Sequence, residues 1–395
     1  MPDVTPTPLT RGTLAALAAA VTLGSLGSNV MPALLGDITH TRHLSSTSAG
    51  AIATSQLLAT ALFILAFASR AGRPGRARLA RIGLLVAAAG FAASMVAPNA
   101  IVLGLTNIVA GSGVGVVGAM ALAGLPNTAD PERATRVTVL CNVLGVAVVL
   151  AAVAGVSAVL SGSGFLLLAA LCVALFPLVK WLPEAPDAPM DGAPAEPIPN
   201  LRRGIAITAG AVVFAVTDLG LWAHAETLGE HAGLSSGVLV AVLSGGVLAG
   251  LAGVGGAAWM SGRWRRTVPL LGFLLCGTAL KGLIAVTTTP VVFAVAIALW
   301  NVTYPAVVLL LLIICGVLDV RGRWSAVLGG GISLGTAIGP LIAGVALDAS
   351  PAILGIVLVT GGLIATALIL PVALVTDREA GVVSVSAATA APQAA

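Results

Sequence analysis

The sequence predicts an all-α integral membrane protein: twelve transmembrane helices built as two parallel six-helix repeats. Three observations predict this. Of 395 residues, 58% are hydrophobic and only 9% are charged, and the mean hydropathy is +1.07. Apolar runs of about 20 residues recur along the whole length, each long enough to cross a bilayer. The two halves of the chain also match each other at one fixed offset. A soluble domain carries roughly 25% charged residues, so this chain lacks the polar surface to coat a water-soluble globule. Disorder needs low hydrophobicity and high charge and is excluded too. The alternating period of a transmembrane barrel is absent. The 48 glycines and the 4% aromatic content suit helices that approach closely through small residues.

The twelve spans fall at 11–36, 47–69, 78–97, 99–124, 134–159, 162–182, 203–227, 234–260, 266–287, 289–317, 323–347 and 351–375. Short connections carry turn chemistry, as in Pro98-Asn99, Ser161-Gly162-Ser163-Gly164 and Asp348-Ala349-Ser350-Pro351. The first apolar run is too long for a signal peptide and is read as a retained helix. The domain plan is a first half at 1–182, a Pro- and Ala-rich linker at 183–202, a second half at 203–376 and a disordered tail at 377–395.

Seventeen of the 19 basic residues fall on the side shared by the odd-numbered connections and the two tails. Arg42 lies on the other side and Lys281 lies inside a span. The Lys/Arg bias places that side, and both termini, in the cytoplasm of a multi-pass cell-membrane protein. The net charge of +4 is thus a topology signal with anionic lipid as its natural contact, and no nucleic acid is implied. Cys141, Cys172, Cys276 and Cys315 sit in apolar runs without metal-ligand spacing, as small core residues do.

The internal repeat has an offset of 190: Leu44-Ser45-Ser46 recurs as Leu234-Ser235-Ser236, Arg133 meets Arg323, and Gly145 meets Gly335. Gly72-Arg73-Pro74-Gly75-Arg76 lies opposite Gly262-Arg263-Trp264-Arg265-Arg266. Six spans per half put both repeats in the same orientation, related by an axis along the membrane normal.

This arrangement resembles the major facilitator superfamily over essentially the whole chain. The resemblance rests on two six-helix halves, a central hydrophilic linker and a basic glycine-containing turn after spans 2 and 8. The family's loop motif, G-x-x-x-D-(R/K)-x-G-R-(R/K), is degenerate here. With Gly75 as its second glycine, Ala68 and Gly72 replace the first glycine and the aspartate, Arg73 and Arg76 keep basic positions, and Ala77 replaces the last. The family's aspartate helps lock the cytoplasmic gate. The resemblance therefore assigns gating to Arg73, Arg76 and Arg133, with Arg263, Arg266 and Arg323 in the second copy. Two fragments are similar to drug- and sugar-efflux branches. One is Gly24-Ser25-Leu26-Gly27-Ser28-Asn29-Val30-Met31-Pro32 in span 1. The other, Gly335 to Gly344 with Gly339-Pro340 at its centre, lies in span 11, whereas the efflux branch carries it in span 5. Gly339-Pro340 is either a gating hinge or a plain kink, because proline removes one helical hydrogen bond.

Ionisable groups deep in a membrane are costly and need a reason. Asp218 lies 15 residues into span 7 and faces Ser28 in the repeat register. The resemblance puts spans 1, 4, 7 and 10 around a central cavity. A carboxylate there suits a proton carrier, since closure to water favours its neutral form and opening its charged form. The other reading is a structural acid between helices. Lys281 is equally far into span 9; it either pairs with Asp218 or snorkels outward. Asp37, His40, His224, Glu226, Glu230 and His231 cluster toward the outer face, as a solvated vestibule or a pH-sensitive gate. Trp300, Asn301 and Tyr304 share one face of span 10. With Asn29, Gln56, Asn107, Asn142 and Trp222 they are candidates to bind a neutral or weakly polar compound. Polar amides also simply join membrane helices.

No cavity arginine is expected, which disfavours phosphate esters and dicarboxylates. No Walker A, H-E-x-x-H or G-x-S-x-G motif occurs, so neither direct ATP drive nor hydrolase chemistry is expected, and no cofactor or metal is implied. The sequence thus points to a monomeric, non-enzymatic secondary transporter that exports a small apolar or neutral compound in exchange for protons. The alternatives are nutrient uptake of a sugar, nucleoside or vitamin, and a receptor or scaffold on the same fold.

Overall fold

The chain folds as helices α1 (Arg11–Asn29), α2 (Met31–Arg42), α3 (Ser46–Ala71), α4 (Arg76–Met95), α5 (Ala100–Gly124), α6 (Pro131–Ser157) and α7 (Ser163–Leu175) in its first half. The second half holds α8 (Leu201–Ala223), α9 (Ala225–His231), α10 (Ser236–Ser261), α11 (Thr267–Val286), α12 (Pro290–Leu318), α13 (Arg323–Ala349) and α14 (Pro351–Ala390). These come from a computed structural model, which describes residues 7–71, 73–157, 160, 162–184, 200–261, 263–319 and 323–390. Most of the linker, Gly72, Gly262 and Arg321, with the side chains of His40 and Arg323, lie outside the described residues.

Local chemistry sets the ends of the helices. Thr10 accepts the Thr13 N–H at 3.1 Å and Asn99 the Val102 N–H at 2.9 Å, as N-caps do. Proline opens α12 and α14, where its missing N–H costs nothing. Carboxylates hold further helix starts, where free N–H groups and the helix dipole favour negative charge. Glu184 receives the Gly75 and Arg76 N–H groups at 2.7 and 2.9 Å, which ties the end of the first half to the start of α4. Asp377 receives the Thr267 N–H at 2.9 Å and does the same for α11. Arg42, the basic residue on the other side, bonds the carbonyls of Ala97 and Met95 at the end of α4. It is a C-terminal cap.

Ten of these helices are long and apolar enough to span a membrane, and α1 with α2 makes an eleventh if counted as one bent span. The expected twelfth, 162–182, is a 13-residue helix, α7, followed by a 3-10 turn at Leu178–Trp181. The expected span 11–36 is broken at Val30 with a 42° bend, just before Pro32, which cannot continue the ladder. Helix α14 runs to Ala390, beyond residue 376, where the sequence reading ended the second half. Large exposed side chains such as Leu62, Leu65, Ile82, Ile101, Leu248 and Ile356 lie along the helices, an apolar surface suited to lipid.

The repeat governs the architecture. Helix α3 shifted by 190 residues gives the bounds of α10, and the start of α5 gives that of α12. Contacts follow the same symmetry: α1 packs on α6 as α8 packs on α13, and α4 on α7 as α11 on α14. The halves meet through α3 with α13 and through α6 with α10, two pairs that the repeat axis exchanges.

The two ends of this seam differ. We call the end carrying the basic loops the basic end and the opposite one the far end. One apolar core joins both halves at the far end, uniting Leu34, Ile52, Leu221, Leu228, Ala337 and Ala343. A second core, around Ile207, Phe214, Leu270, Leu310 and Ile369, stays within the second half. At the far end the Asp348 carboxylate receives the Ser46 and Thr47 N–H groups, each at 2.8 Å, across the two halves. A Cβ on Gly50 would lie 2.3 Å from the Pro340 carbonyl oxygen, and one on Gly344 2.3 Å from that of Ser46. The backbones of α3 and α13 therefore touch directly there. Gly50→Val should force this seam apart. In a cysteine-free background, spin labels at Ser45→Cys and Ala349→Cys should then report a longer distance, and an unchanged distance would show that this contact does not set the closure.

Candidate functional site

A cavity of about 490 Å3 lies between the halves. Gly24, Ser25, Ser28 and Asn29 line it from α1, Thr60 and Ile64 from α3, and Val139 and Asn142 from α6. Asp218 and Trp222 of α8, Val247 and Val254 of α10, Trp300, Asn301 and Tyr304 of α12 and Ser333 and Thr336 of α13 complete it. The lining reaches Ile64, Val139, Val254 and Ile332, each within ten residues of its helix's basic end. Toward the far end it stops at Asn29, Trp222 and Trp300. The molecule is closed at the far end and hollow toward the basic end.

The centre of the site is a buried ion pair. The Lys281 ammonium lies 2.7 Å from Asp218 Oδ2, with side chains 1% and 3% exposed. Lys281 also donates to Thr217 Oγ1 at 2.8 Å and stands 5.1 Å above the Phe214 ring, a cation–π contact. The Trp300 indole N–H donates to Asp218 Oδ1 at 2.9 Å. Tyr304 stacks on Phe214 with ring centres 5.6 Å apart. Of the two alternatives for Lys281, the structure has it paired with Asp218 and not snorkelling. Equal depth in spans 7 and 9 was the signal for the pair, whereas Phe214 and Thr217 carried none.

A second string of contacts crosses the halves. Ser25 Oγ donates to Asn142 Oδ1 at 2.7 Å, and Asn29 Nδ2 donates to the Ser25 carbonyl at 2.8 Å. The Trp222 indole N–H donates to the Asn29 carbonyl at 3.0 Å, and the Trp222 and Trp300 rings lie 6.1 Å apart. Asn301 bonds the Ile297 carbonyl of its own helix at 3.0 Å.

Two expected lining residues are elsewhere. Gln56 is buried against Gly27, behind α1. Asn107 is buried between α5 and α4, bonding the Leu103 carbonyl at 2.9 Å and Ser94 Oγ at 3.2 Å. Asn107 is an amide that joins helices, whereas Gln56 Nε2 is buried with no hydrogen-bond partner among the described residues. The arginines assigned to gating lie at the basic end, toward which the cavity is open. Arg76 is buried and holds the Ala71 and Pro183 carbonyls. Arg73 is exposed, the main-chain N–H of Arg133 is held by Asp130, Arg263 stacks on Trp259, and Arg266 precedes α11. Among the described residues, the contacts of these arginines remain inside their own half. The contacts that close the molecule are at the far end, where Pro340 does take part. Its carbonyl oxygen faces Gly50 of α3 across the halves, 2.3 Å from where a Cβ would lie, and bonds His224 Nε2 within its own half at 3.0 Å.

The outer cluster is not one solvated vestibule. His224 is buried on α13. Asp37 holds the start of α7 through the Gly162 N–H at 2.8 Å. Glu226, on α9 beyond the α8 span, is half-buried at the seam and packs on Gly36 of α2. Burial first, and then the Glu230 and Asp37 charges, push its carboxyl from an ordinary 4.5 up to about 8.

The family's sequence profile matches residues 16–318. The chain belongs to the major facilitator superfamily. It is a multi-pass membrane transporter of the secondary type, in a superfamily of transporters and not of enzymes. Among curated proteins, no sequence match was found. Solved structures with the superfamily fold are similar to it. A point mutant of the nucleoside transporter NupG superposes with a TM-score of 0.74 at 11% identity, covering 92% of this chain and 99% of that one. A D-xylose–proton symporter gives 0.68 at 14% identity, over 89% and 96%. A bacterial homologue of the human lysosomal transporter Spinster gives 0.66 at 15% identity, over 92% and 95%. At such identities the likeness concerns the superfamily fold.

Two predictions follow from this geometry. Removing one partner of a buried ion pair costs about 3–5 kcal/mol, because the other is left uncompensated. Lys281→Met should lower stability by that order in thermal unfolding, and adding Asp218→Asn to it should recover most of the loss. Closure that buries Glu226 takes up a proton between its ordinary 4.5 and about 8. The closed far end is then most favoured below that window and weakens as pH rises through it. Labels across the far end should report parting as pH rises from about 5 to about 9, and Glu226→Gln should remove this parting at alkaline pH.

Proposed function

We propose that this transporter exports a small, neutral and largely apolar compound in exchange for protons, with Asp218 as the proton site. The observation that carries the reading is the Asp218–Lys281 pair at the inner wall of the cavity. Asp218 lines the cavity while Lys281 sits behind it, so a proton arriving from the cavity meets the carboxylate first. When Asp218 takes the proton, Lys281 keeps Thr217 Oγ1 and the Phe214 ring, which lessens the cost of leaving it alone. Loss of the proton restores the pair. Alternating access needs such a two-state group, since a coupling ion acts only through different affinities in the two shapes.

The substrate class follows from the lining. Leu57, Ile64, Val143, Leu219, Val247 and Leu251 give apolar walls. Trp222, Trp300 and Tyr304 offer ring faces, and Asn29, Asn142 and Asn301 offer a few polar contacts, the usual make-up of a small-molecule site. Among the described residues the lining holds no cation, and Lys281 behind it is committed to Asp218, so nothing described at the wall calls for an anionic substrate. Apolar solutes enter cells through lipid unaided, which favours export as the direction. In the cell membrane the basic end faces the cytoplasm and the protein works as a monomer, with substrate, protons and lipid as its partners.

A second reading is proton-linked uptake of a sugar or nucleoside. The ring faces beside amide side chains suit such ligands, and the similar structures include a nucleoside transporter and a sugar–proton symporter.

A thermal-shift screen of neutral aromatic compounds, nucleosides and sugars identifies the ligand class, because binding to the folded state raises stability. Reconstituted in liposomes, the hit should move against its gradient when the proton gradient opposes it in direction. Asp218→Asn should abolish gradient-driven transport while counterflow persists. Undiminished driven transport in that variant would refute the proton role, and accumulation in the same direction as the protons would select uptake.

A further inference from the structure

We infer that Trp300 and Trp222 form a relay that ties the charge of Asp218 to closure of the far end, which makes both tryptophans positioning residues for the transport cycle. The inference rests on the reading of Asp218 as the proton site. It adds how a proton taken up within one half is felt by the other.

The geometry is continuous. Trp300 gives its N–H to Asp218 at 2.9 Å. Its ring lies 6.1 Å from that of Trp222, tilted by 39°. Trp222 gives its N–H to the main-chain carbonyl of Asn29 at 3.0 Å. Asn29 ends α1 at the break before α2, and the carbonyls at a helix end have no partner within the helix. The last bond crosses from one half to the other. Trp222 and Trp300 are 6% and 3% exposed, and together they roof the cavity at its far end. Both bonds are made by indole N–H groups, which donate and never accept. Each indole is thus held by one acceptor, and only one of those acceptors changes charge.

An N–H bond to a carboxylate is roughly twice as strong as one to a neutral acceptor. With Asp218 ionised, Trp300 is held in place and supports Trp222 against Asn29. With Asp218 protonated, the hold on Trp300 weakens, Trp222 loses its backing, and the cross-half bond is freed. The charged and titratable groups around Asp218 are few. Lys281 faces it from α11, and Tyr304 accompanies Trp300 on α12. The remaining charges of α8 and α13 lie near the helix ends, those of α14 lie at the basic end beside the start of α11, and the apolar α10 carries none.

The test uses the full chain in nanodiscs, without substrate. Spin labels at Ser45→Cys and Ala349→Cys report the far end, in a cysteine-free Glu226→Gln background that silences the seam carboxyl. Infrared difference spectra over the same pH range report the protonated carboxyl as a band that Asp218→Asn abolishes. Acidification should load Asp218 and part the labels together. In Trp222→Phe, which keeps a ring but loses the donor, the carboxyl band should still titrate. Its label response should fall by about fivefold in the open-to-closed ratio, as expected for one hydrogen bond. Trp300→Phe should separate the two titrations in the same way and serves as the independent variant. A titrating band with a wild-type label response in both variants overturns the relay alone. Absence of an Asp218-dependent band overturns the proton site and the relay with it.

Discussion

The salt bridge between Asp218 and Lys281 is the constraint around which the interior is arranged. A single charge inside a membrane helix bundle is costly, and each partner here is tolerable because the other is present. The pair needs two helices of one half at a fixed separation, so it pins α8 to α11. It needs further dipoles, which Thr217, Trp300 and the Phe214 ring supply. The ring of Tyr304 then takes its place by stacking on Phe214. One wall of the cavity is thus a consequence of hiding two opposite charges where water is scarce. The other wall has no charge to hide and is built from the amides and hydroxyls of α1 and α6.

Much of the architecture was legible in the residues because the repeat is written in the loops as well as the spans. Glycines and arginines that recur at 190 places coincide with matching helix starts. The short α7 and the break at Val30 were harder to see. Apolar content alone does not say where an apolar run stops being helical, although Pro32 marked the second case. Cavity residues on α1, α8 and α12 were legible from depth and helical spacing once the family resemblance said which spans surround the cavity. Gln56 and Asn107 were misplaced, since an amide that faces a cavity and one buried between helices look alike in sequence. The far-end seam was illegible for a different reason. Charge patterns reveal which end of a helix faces which side, but closure here is made by backbone contact at Gly50 and Gly344, and a glycine's neighbour is visible only in space.

The acidic residues divide by task. Glu184, Asp377, Asp37 and Asp348 each receive main-chain N–H groups at the start of a helix. Glu226 alone sits at the seam against another chain segment without such a bond among the described hydrogen bonds. A carboxylate at a helix start is stabilised by charge it never loses, whereas one packed against backbone and two like charges is a poor place for an ion. The same functional group therefore holds helix starts in five places, Asp130 at α6 included, and serves as a titrating element at the seam.

The caps also differ in what they join. Glu184 and Asp377 each fasten parts of the same half, so a rocking motion carries them along unbroken. Asp348 bridges the two halves, and a transporter that alternates its openings must let go of those two N–H groups whenever the far side is exposed. Its work is mechanical rather than architectural: it is a latch with a recurrent release. The halves thus behave as two stiff shells hinged unevenly. Uncovering the far side must break the Asp348 bonds and separate the α3 and α13 backbones at Gly50 and Gly344.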